Sequence, residues 1–412
     1  MKITGNIVSV KERGLCISCG ICAANCPKGC ISLVRDGFEV VPVIEDSRCV
    51  QCGICAKVCP ARQLDACDRR DDLIGYMLGD HREILCVQAK DREILSRATS
   101  GGFISQIIPA LLDGGDYQSA FLLDGYEFTD TVETSRFTAE SNFLETGRSR
   151  YLPVSHESAA RYMIEHPEER IIFVGTGCAM QGLLNTMELH RLKREQYLLI
   201  GLFCDKTMNY GVISYFAEHP RGKGRKMRRF YFRTKSSGGW PGEVRIDYAD
   251  GSHEDLSRRE RMKVKEYFVP ERCLYCLDKL NRNCDIAVGD NYIKRNHDEL
   301  GVNSCVIRTE AGLKIWNQYR DLFHFHADDA QDLIQSQHLD SRGMNYQYAC
   351  LKGIYDDPGA ITQKARDSYR TLLKKMAIGR KERAYANVHR DLRYRAASRK
   401  IKRAIKRLTG RS

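Results

Sequence analysis

The chain has 412 residues, 42% apolar and 29% charged, with a formal net charge of +12 and 18 cysteines. That length points to two or three structural units rather than one small core, and the apolar share is that of an ordinary soluble globular protein. Most cysteines fall in tight C-x-x-C groups, which argues against a disulfide framework. The opening "MKITGNIVSV" lacks the apolar core of a secretory signal, and no uninterrupted apolar run is long enough to span a bilayer. The expectation is a cytoplasmic protein whose reduced thiols serve as metal ligands.

The first feature along the chain is a repeat. "CISCGICAANCP" begins at Cys16 and "CVQCGICAKVCP" at Cys49, so Cys16, Cys19, Cys22 and Cys26 correspond to Cys49, Cys52, Cys55 and Cys59. This is the bacterial ferredoxin run, in which the fourth cysteine of each copy ligates the other copy's cluster. Cysteines two residues apart wrap a loop around one cubane, and Gly20 and Gly53 let the backbone approach the inorganic sulfides. One 4Fe-4S cluster is therefore assigned to Cys16, Cys19, Cys22 and Cys59, and a second to Cys49, Cys52, Cys55 and Cys26. Zinc also binds C-x-x-C pairs, but nothing in a four-ligand zinc site demands the third cysteine or the Cys-Pro step in both copies. Cys30, Cys67 and Cys86 have no partner at cluster spacing and read as small buried apolar residues. The ferredoxin-like module spans 1–68.

From Asp71 onward helical and strand signals alternate. "RATSGGFISQIIPALLD" has a Gly-Gly turn after Thr99 and Ser100, then an amphipathic helix carrying Phe103, Ile104, Ile107, Ile108 and Leu111. Pro109 is expected to kink or shorten that helix. "YQSAFLLDGY" reads as a strand. In "ERIIFVGTGCAMQGLLNTMELHRL", Ile171 to Val174 form a strand, Gly175-Thr176-Gly177 a tight loop, and a helix follows from Ala179. Strand, glycine loop and helix start make a phosphate cradle, because unsatisfied N–H groups point out of the helix start. A plain structural turn fits the same residues, and the G-x-G-x-x-G fingerprint is absent. "YLLIGLFCDKTMNYG" is a strand ending at Cys204. In open α/β sheets ligands gather at the carboxyl ends of strands, which puts Cys178 and Cys204 near one crevice. Arg221 to Lys235 carries many basic residues and no acidic one. With Gly238-Gly239 and Asp250-Gly251 as turns, it reads as a half-buried strand hairpin with a solvated basic face rather than a nucleic-acid site. Arg233 and Lys235 at its end are placed to meet an anionic ligand.

"ERCLYCLDKLNRNCDIAVGDNY" is the second cysteine site, with Cys273, Cys276 and Cys284 ahead of a strand ending at Gly289-Asp290. Three thiolates need a fourth ligand, and Cys204 is preferred to Cys178. A third 4Fe-4S cluster is expected, with a structural zinc on the same thiols as the alternative. His324 and His326 in "FHFH" alternate on one face and read as structural.

These stretches together resemble the coenzyme F-420 hydrogenase/dehydrogenase beta-subunit family. The resemblance rests on "SGGF" at Ser100, "GTGCAMQGL" at Gly175, "GLFC" at Gly201, "FRTKSSGGW" at Phe232 and "CLYC" through "DIAVGD", preceded by the ferredoxin module. One departure is Gly177, where the family usually has proline. The resemblance implies an α+β and α/β architecture: a bacterial ferredoxin-like domain, a mixed α/β flavin-binding domain over 69–375, and a basic helical tail over 376–412. It implies FAD besides the 4Fe-4S clusters, and it links some relatives to polysaccharide synthesis. The flavin diphosphate is then expected at Ser100, Gly101 and Gly102 or at Thr176, Gly177 and Cys178. Arg233 or Lys235 would offset its charge, and the ring would face Cys204 and Asp290. The expected function is an iron–sulfur flavoprotein oxidoreductase moving electrons between a ferredoxin-type or deazaflavin carrier and a small organic substrate. The alternative is a non-catalytic electron-transfer subunit docking to a partner enzyme. No residue stands out as the catalytic acid or base.

Between Arg380 and Ser412, thirteen Lys and Arg face Glu382 and Asp391 alone, so the tail holds nearly the whole net charge. Its pattern is helical. Tyr385, Val388, Leu392 and Ala396 lie on one face, Ala397, Ile401, Ala404, Ile405 and Leu408 on another, and the phase slips near Ser398. Such a segment can lie on the inner face of a membrane or against a partner protein, or be a solvated terminus. Nucleic acid is the poorer partner.

Overall fold

The computed structural model describes residues 5–66, 70–123, 131–143, 146, 148–219, 221–236 and 238–409. Cys67 and the expected module end at Asp68 lie outside the described residues. Each copy of the repeat makes a one-turn helix, Ile21–Ala24 and Ile54–Lys57, entered through a left-handed glycine, Gly20 at φ 73° and Gly53 at φ 72°. Between the copies, β1 (Ile31–Asp36) and β2 (Glu39–Ile44) pair antiparallel, Ile31 opposite Ile44.

The body contributes β3 (Glu83–Ala89), β4 (Ser119–Leu123), β5 (Val132–Phe137), β6 (Val154–Ser155), β7 (Ile171–Thr176), β8 (Tyr197–Leu202), β9 (Met227–Thr234), β10 (Glu243–Tyr248), β11 (His253–Leu256), β12 (Ile286–Asp290), β13 (Asn303–Ile307) and β14 (Phe323–Ala327). Among the described residues the largest sheet has nine strands, ordered β14-β3-β13-β12-β8-β7-β4-β5-β6. Its centre, β12, β8, β7 and β4, is parallel, so the strand ends at Asp290, Leu202, Thr176 and Leu123 share one edge.

Alternation along these strands divides the core by faces. Phe173 and Leu199 pack under the helix Gly177–His190 with Met180, Leu183 and Met187. Ile172, Val174, Leu198 and Ile200 pack on the opposite side with Phe103, Ile107, Ile108 and Leu111. That burial carries the helix Phe103–Asp113 straight through Pro109, where a kink or a shorter helix was expected. The glycine loop expected at Gly175 to Gly177 is also absent. Gly175 and Thr176 stay in β7, paired with Gly201 and Leu202, and the helix begins at Gly177. The basic stretch forms the antiparallel β9–β10–β11 sheet, with Phe230 and Phe232 buried. His326 is on edge strand β14 and bonds Asn296 at 3.0 Å, the structural role expected.

The ferredoxin module is fastened to the body. His156 N donates to Cys19 O at 2.8 Å, Asn25 Nδ2 to Thr186 Oγ1 at 3.0 Å, and Asn185 Nδ2 to Val58 O at 3.0 Å. Its core residues Ile7, Val10 and Leu15 belong to the same cluster as Leu274, Tyr275, Leu372 and Met376. The basic tail is one helix, Ala384–Thr409, following Gln363–Gly379. Its first turns bury Ala384 and Val388 beside Tyr215 and Phe268, while Tyr394 and Ile401 are exposed. Among the described residues no helix is long and apolar enough to cross a membrane.

Candidate electron-transfer site

Cys16, Cys19, Cys22 and Cys59 line one cavity of about 330 Å³, walled by Ile7, Leu15, Leu33, Pro60 and Ala61. The fourth thiol comes from the second copy, in the crossed arrangement of a two-cluster ferredoxin. Burial raises the thiols of this set, Cys59 to about 11. Such protonated, crowded thiols suit a metal centre that displaces their protons. On the far side, Cys55 senses Cys52 and Cys26, and Cys30 senses Cys26 and Cys49. Cys30 was expected to be apolar filler. Its sulfur instead lies 3.4 Å from that of Cys26, among the second set of thiols. Cys86 does sit in the interior, where burial raises it to about 12.

In the body, Cys178 opens the helix Gly177–His190, Cys204 follows β8, and Cys273 and Cys276 flank the turn at Tyr275. These four thiols are mutual neighbours. Burial first, then Cys273, Cys178 and Cys276, drive Cys204 well above its ordinary value, and Cys276 rises to about 11 chiefly through burial. Cys284, expected among them, is elsewhere. Asn281 in a left-handed conformation (φ 55°) turns the chain back, and Cys284 Sγ donates to Asn281 O at 3.0 Å under Gly201. Cys178 takes the fourth place, so both strand-end cysteines join the set. Among the described residues no three His, Cys, Asp or Glu side chains converge tightly enough for a single ion, at the repeat or in the body.

The two thiol sets adjoin. Cys19 senses Cys178, and the buried Arg272 senses Cys178, Cys276, Cys59 and Cys273. Arg342 closes the outer side, donating to Cys276 O at 2.9 Å and Cys204 O at 3.0 Å. It is also paired with Asp205 at 3.1 Å. Burial would raise the Asp205 carboxyl, but Lys265 and Arg342 hold it far below the usual range.

The second site lies along the same edge. Arg233 grips Asp290 through two bonds, 2.6 and 3.0 Å, and Trp240 Nε1 donates to Asp290 at 2.9 Å. Lys235 Nζ donates to Leu95 O at 2.7 Å and Ser100 O at 2.9 Å. Gly102, left-handed at φ 78°, starts the helix Phe103–Asp113, and the N–H groups of Ser100, Gly101 and Gly102 meet no acceptor among the described residues. Ser100, Gly101, Gly102, Arg233, Lys235 and Asp290 are thus brought together. Thr176, Gly177 and Cys178 are not part of that group. A Cβ at Gly177 would lie 2.2 Å from the Asp278 carboxylate, so an acidic side chain fills the space a phosphate would need. Phe203 packs on Gly289 between the two sites. Sequence reasoning passed over Arg272, Arg342 and Asp278; only Arg272, adjoining Cys273, carried a local signal.

Together, the crossed cysteine repeat, the nine-stranded mixed sheet and the thiols at its carboxyl edge define an iron–sulfur protein with an α/β body. Residues 168–332 match the family model for the C terminus of the coenzyme F420 hydrogenase/dehydrogenase beta subunit, and residues 15–62 match the 4Fe-4S dicluster domain. The chain is therefore a beta-subunit-type member of that F420 hydrogenase/dehydrogenase family with an N-terminal dicluster domain. It is 24% identical to the F-type subunit of the F(420)H(2) dehydrogenase of Methanosarcina mazei over 317 residues, 76% of this chain and 85% of that protein. It is 21% identical to the beta subunit of F420-dependent formate dehydrogenase 1 of Methanococcus maripaludis over 214 residues, 50% of this chain and 52% of that one. The fold is similar to a chain of the F420-reducing [NiFe] hydrogenase complex from Methanosarcina barkeri, at TM-score 0.50 and 17% identity over 67% of this chain and 93% of that one. Neither curated relative is named for polysaccharide synthesis.

Proposed function

We propose that this chain is an electron-transfer oxidoreductase subunit that passes electrons between its N-terminal clusters and FAD in the body through a third 4Fe-4S centre. The observation that carries the reading is Cys178, which neighbours Cys19 of the repeat on one side and Cys204 and Cys273 of the body on the other. A zinc ion would draw four thiolates to about 2.3 Å. The wider spacing of the body thiols, shared with the repeat, supports a polynuclear centre instead.

When bound, a flavin takes up two electrons as a hydride and returns them singly. The chain's residues suit its diphosphate at one place. The N–H groups of Ser100 to Gly102 point from a helix start, and Lys235 stands beside them. Arg233 is already neutralised by Asp290, so Lys235 rather than Arg233 would offset the charge. Phe203, between Gly289 and Cys204, shields the gap between flavin site and thiols from water. The substrate class is a small organic molecule or a deazaflavin, the latter supported by the names of the curated relatives. Those names also support the second reading, a subunit whose body docks to a partner enzyme without catalysing a reaction itself. The tail's exposed half is the candidate contact with a partner protein or an anionic membrane surface.

The reading is tested on full-length protein purified without oxygen. Acid should release about one FAD per chain, and Lys235→Met should lower that yield with iron unchanged. Protein that binds neither FAD nor FMN after reconstitution would sink the flavin part and leave the electron-transfer subunit reading.

A further inference from the structure

Arg272 is 7% exposed, and among the described residues no carboxylate pairs with it. Its Nη2 donates to Pro60 O at 2.9 Å, the carbonyl next to cluster-one ligand Cys59, while its Nε has no partner. A buried cation needs opposite charge close by. The groups arranged around this one are the thiols of Cys16 and Cys59 from the repeat and of Cys178, Cys273 and Cys276 from the body. Arg342, the other guanidinium at the site, already has Asp205. Glu271 faces away, bonded to Tyr275 and Lys352.

We propose that Arg272 is the shared counter-charge of cluster one and of the body centre, favouring the reduced state of both and of no other centre in the chain. The inference rests on the body thiols holding a cluster. Thiolate-held clusters are anionic and gain a further negative charge on reduction, so a fixed cation beside them raises their potentials. A guanidinium stays protonated throughout. One electron leaves one centre and arrives at the other, no bond forms or breaks, and no proton moves. The electron itself comes from a low-potential one-electron donor. Because Arg272 touches both sets, it lifts both potentials together and keeps that step from running uphill in either direction. Cluster two, on Cys26, Cys49, Cys52 and Cys55, lies beyond its reach and serves as the internal control.

The test is a redox titration of full-length, anaerobically reconstituted protein with dithionite, followed by electron paramagnetic resonance. Signals are assigned with Cys178→Ser and Cys52→Ser. In Arg272→Gln, the cluster-one and body signals should each fall by about tenfold in reduction equilibrium, 59 mV for one electron. Cluster two should not move, and Arg272→Lys should restore at least half of each shift. Unmoved potentials, or a cluster-two shift as large as the others, would overturn the proposal. If the glutamine variant holds less iron, the lysine variant decides, since it keeps the charge and loses the guanidinium geometry. Loss of both centres in both variants would overturn it too, making Arg272 an assembly residue. A wild-type chain with no third signal breaks the body-cluster reading instead, and the cluster-one shift alone then tests Arg272.

Discussion

Gly20 and Gly53 hold the same place in the repeat and the same backbone conformation, φ 73° and 72°. Their surroundings are opposite. A Cβ at Gly20 would lie 2.7 Å from Glu157 Cβ and Ser155 Oγ, whereas at Gly53 the nearest atom is Gly5 O at 3.8 Å. The cysteines divide the same way. Cys59 is buried between the module and the body, and Cys52, the counterpart of Cys19, is exposed. Docking turns a symmetric repeat into a directional one, with cluster one inward and cluster two outward. The inner copy meets Cys178 and Arg272; the outer copy is open to an electron carrier.

The sharpest way to break this contrast is to add the same methyl group to both glycines. Either alanine suffers the left-handed penalty of about 1–2 kcal/mol. Gly20→Ala should add about 1–3 kcal/mol for overpacking against Glu157 and Ser155. The thermal midpoint of loaded protein should therefore fall much further for Gly20→Ala than for Gly53→Ala, and equal falls would deny that the inner copy is docked. The tail offers a smaller contrast between a packed and an open half. Removing 380–412 exposes the contacts of Val388, worth about 1.5–3 kcal/mol for a fully buried side chain of that size. It also breaks the Arg380–Glu39 pair at 3.0 Å. Removing only 398–412 should change stability by less than about 0.5 kcal/mol. The shorter deletion should nonetheless abolish salt-sensitive sedimentation with anionic vesicles. Full-length protein that ignores such vesicles would end the membrane proposal.

Arg233 and Lys235 give the smallest effect. Arg233 has Asp290 as counter-ion, whereas Lys235 has two carbonyls, and burial followed by the nearby Arg233 lowers it to about 8 from 10.5. Its folded value lies below its unfolded one, so between about pH 8 and 10.5 the unfolded chain binds more protons and stability rises with pH. Urea midpoints of flavin-free protein across that window should climb in wild type and climb less in Lys235→Met. Parallel slopes would mean Lys235 is not the group responsible.

Much of this was legible in the sequence. The C-x-x-C-x-x-C-x-x-x-C-P spacing is local, because one short loop wraps one cluster, so the crossed pairing of Cys59 with Cys16, Cys19 and Cys22 could be written down unaided. The apolar runs at Ile171 and Tyr197 gave the parallel strands. The body thiols were harder, since Cys178, Cys204 and Cys273 are brought together by strand order and not by spacing. Cys284 looked right along the chain and is wrong in space, because Asn281 reverses the backbone just before it. Asp278 is remote in sequence from Gly177, so nothing local warned that the apparent phosphate loop was already filled.

The central claim is that Cys178, Cys204, Cys273 and Cys276 form the centre facing cluster one. Its most direct test is the iron content of anaerobically reconstituted full-length protein. The account predicts about twelve irons in wild type and in Cys284→Ser, and about eight in Cys178→Ser with the N-terminal signals intact. Twelve irons in Cys178→Ser together with eight in Cys284→Ser would contradict it.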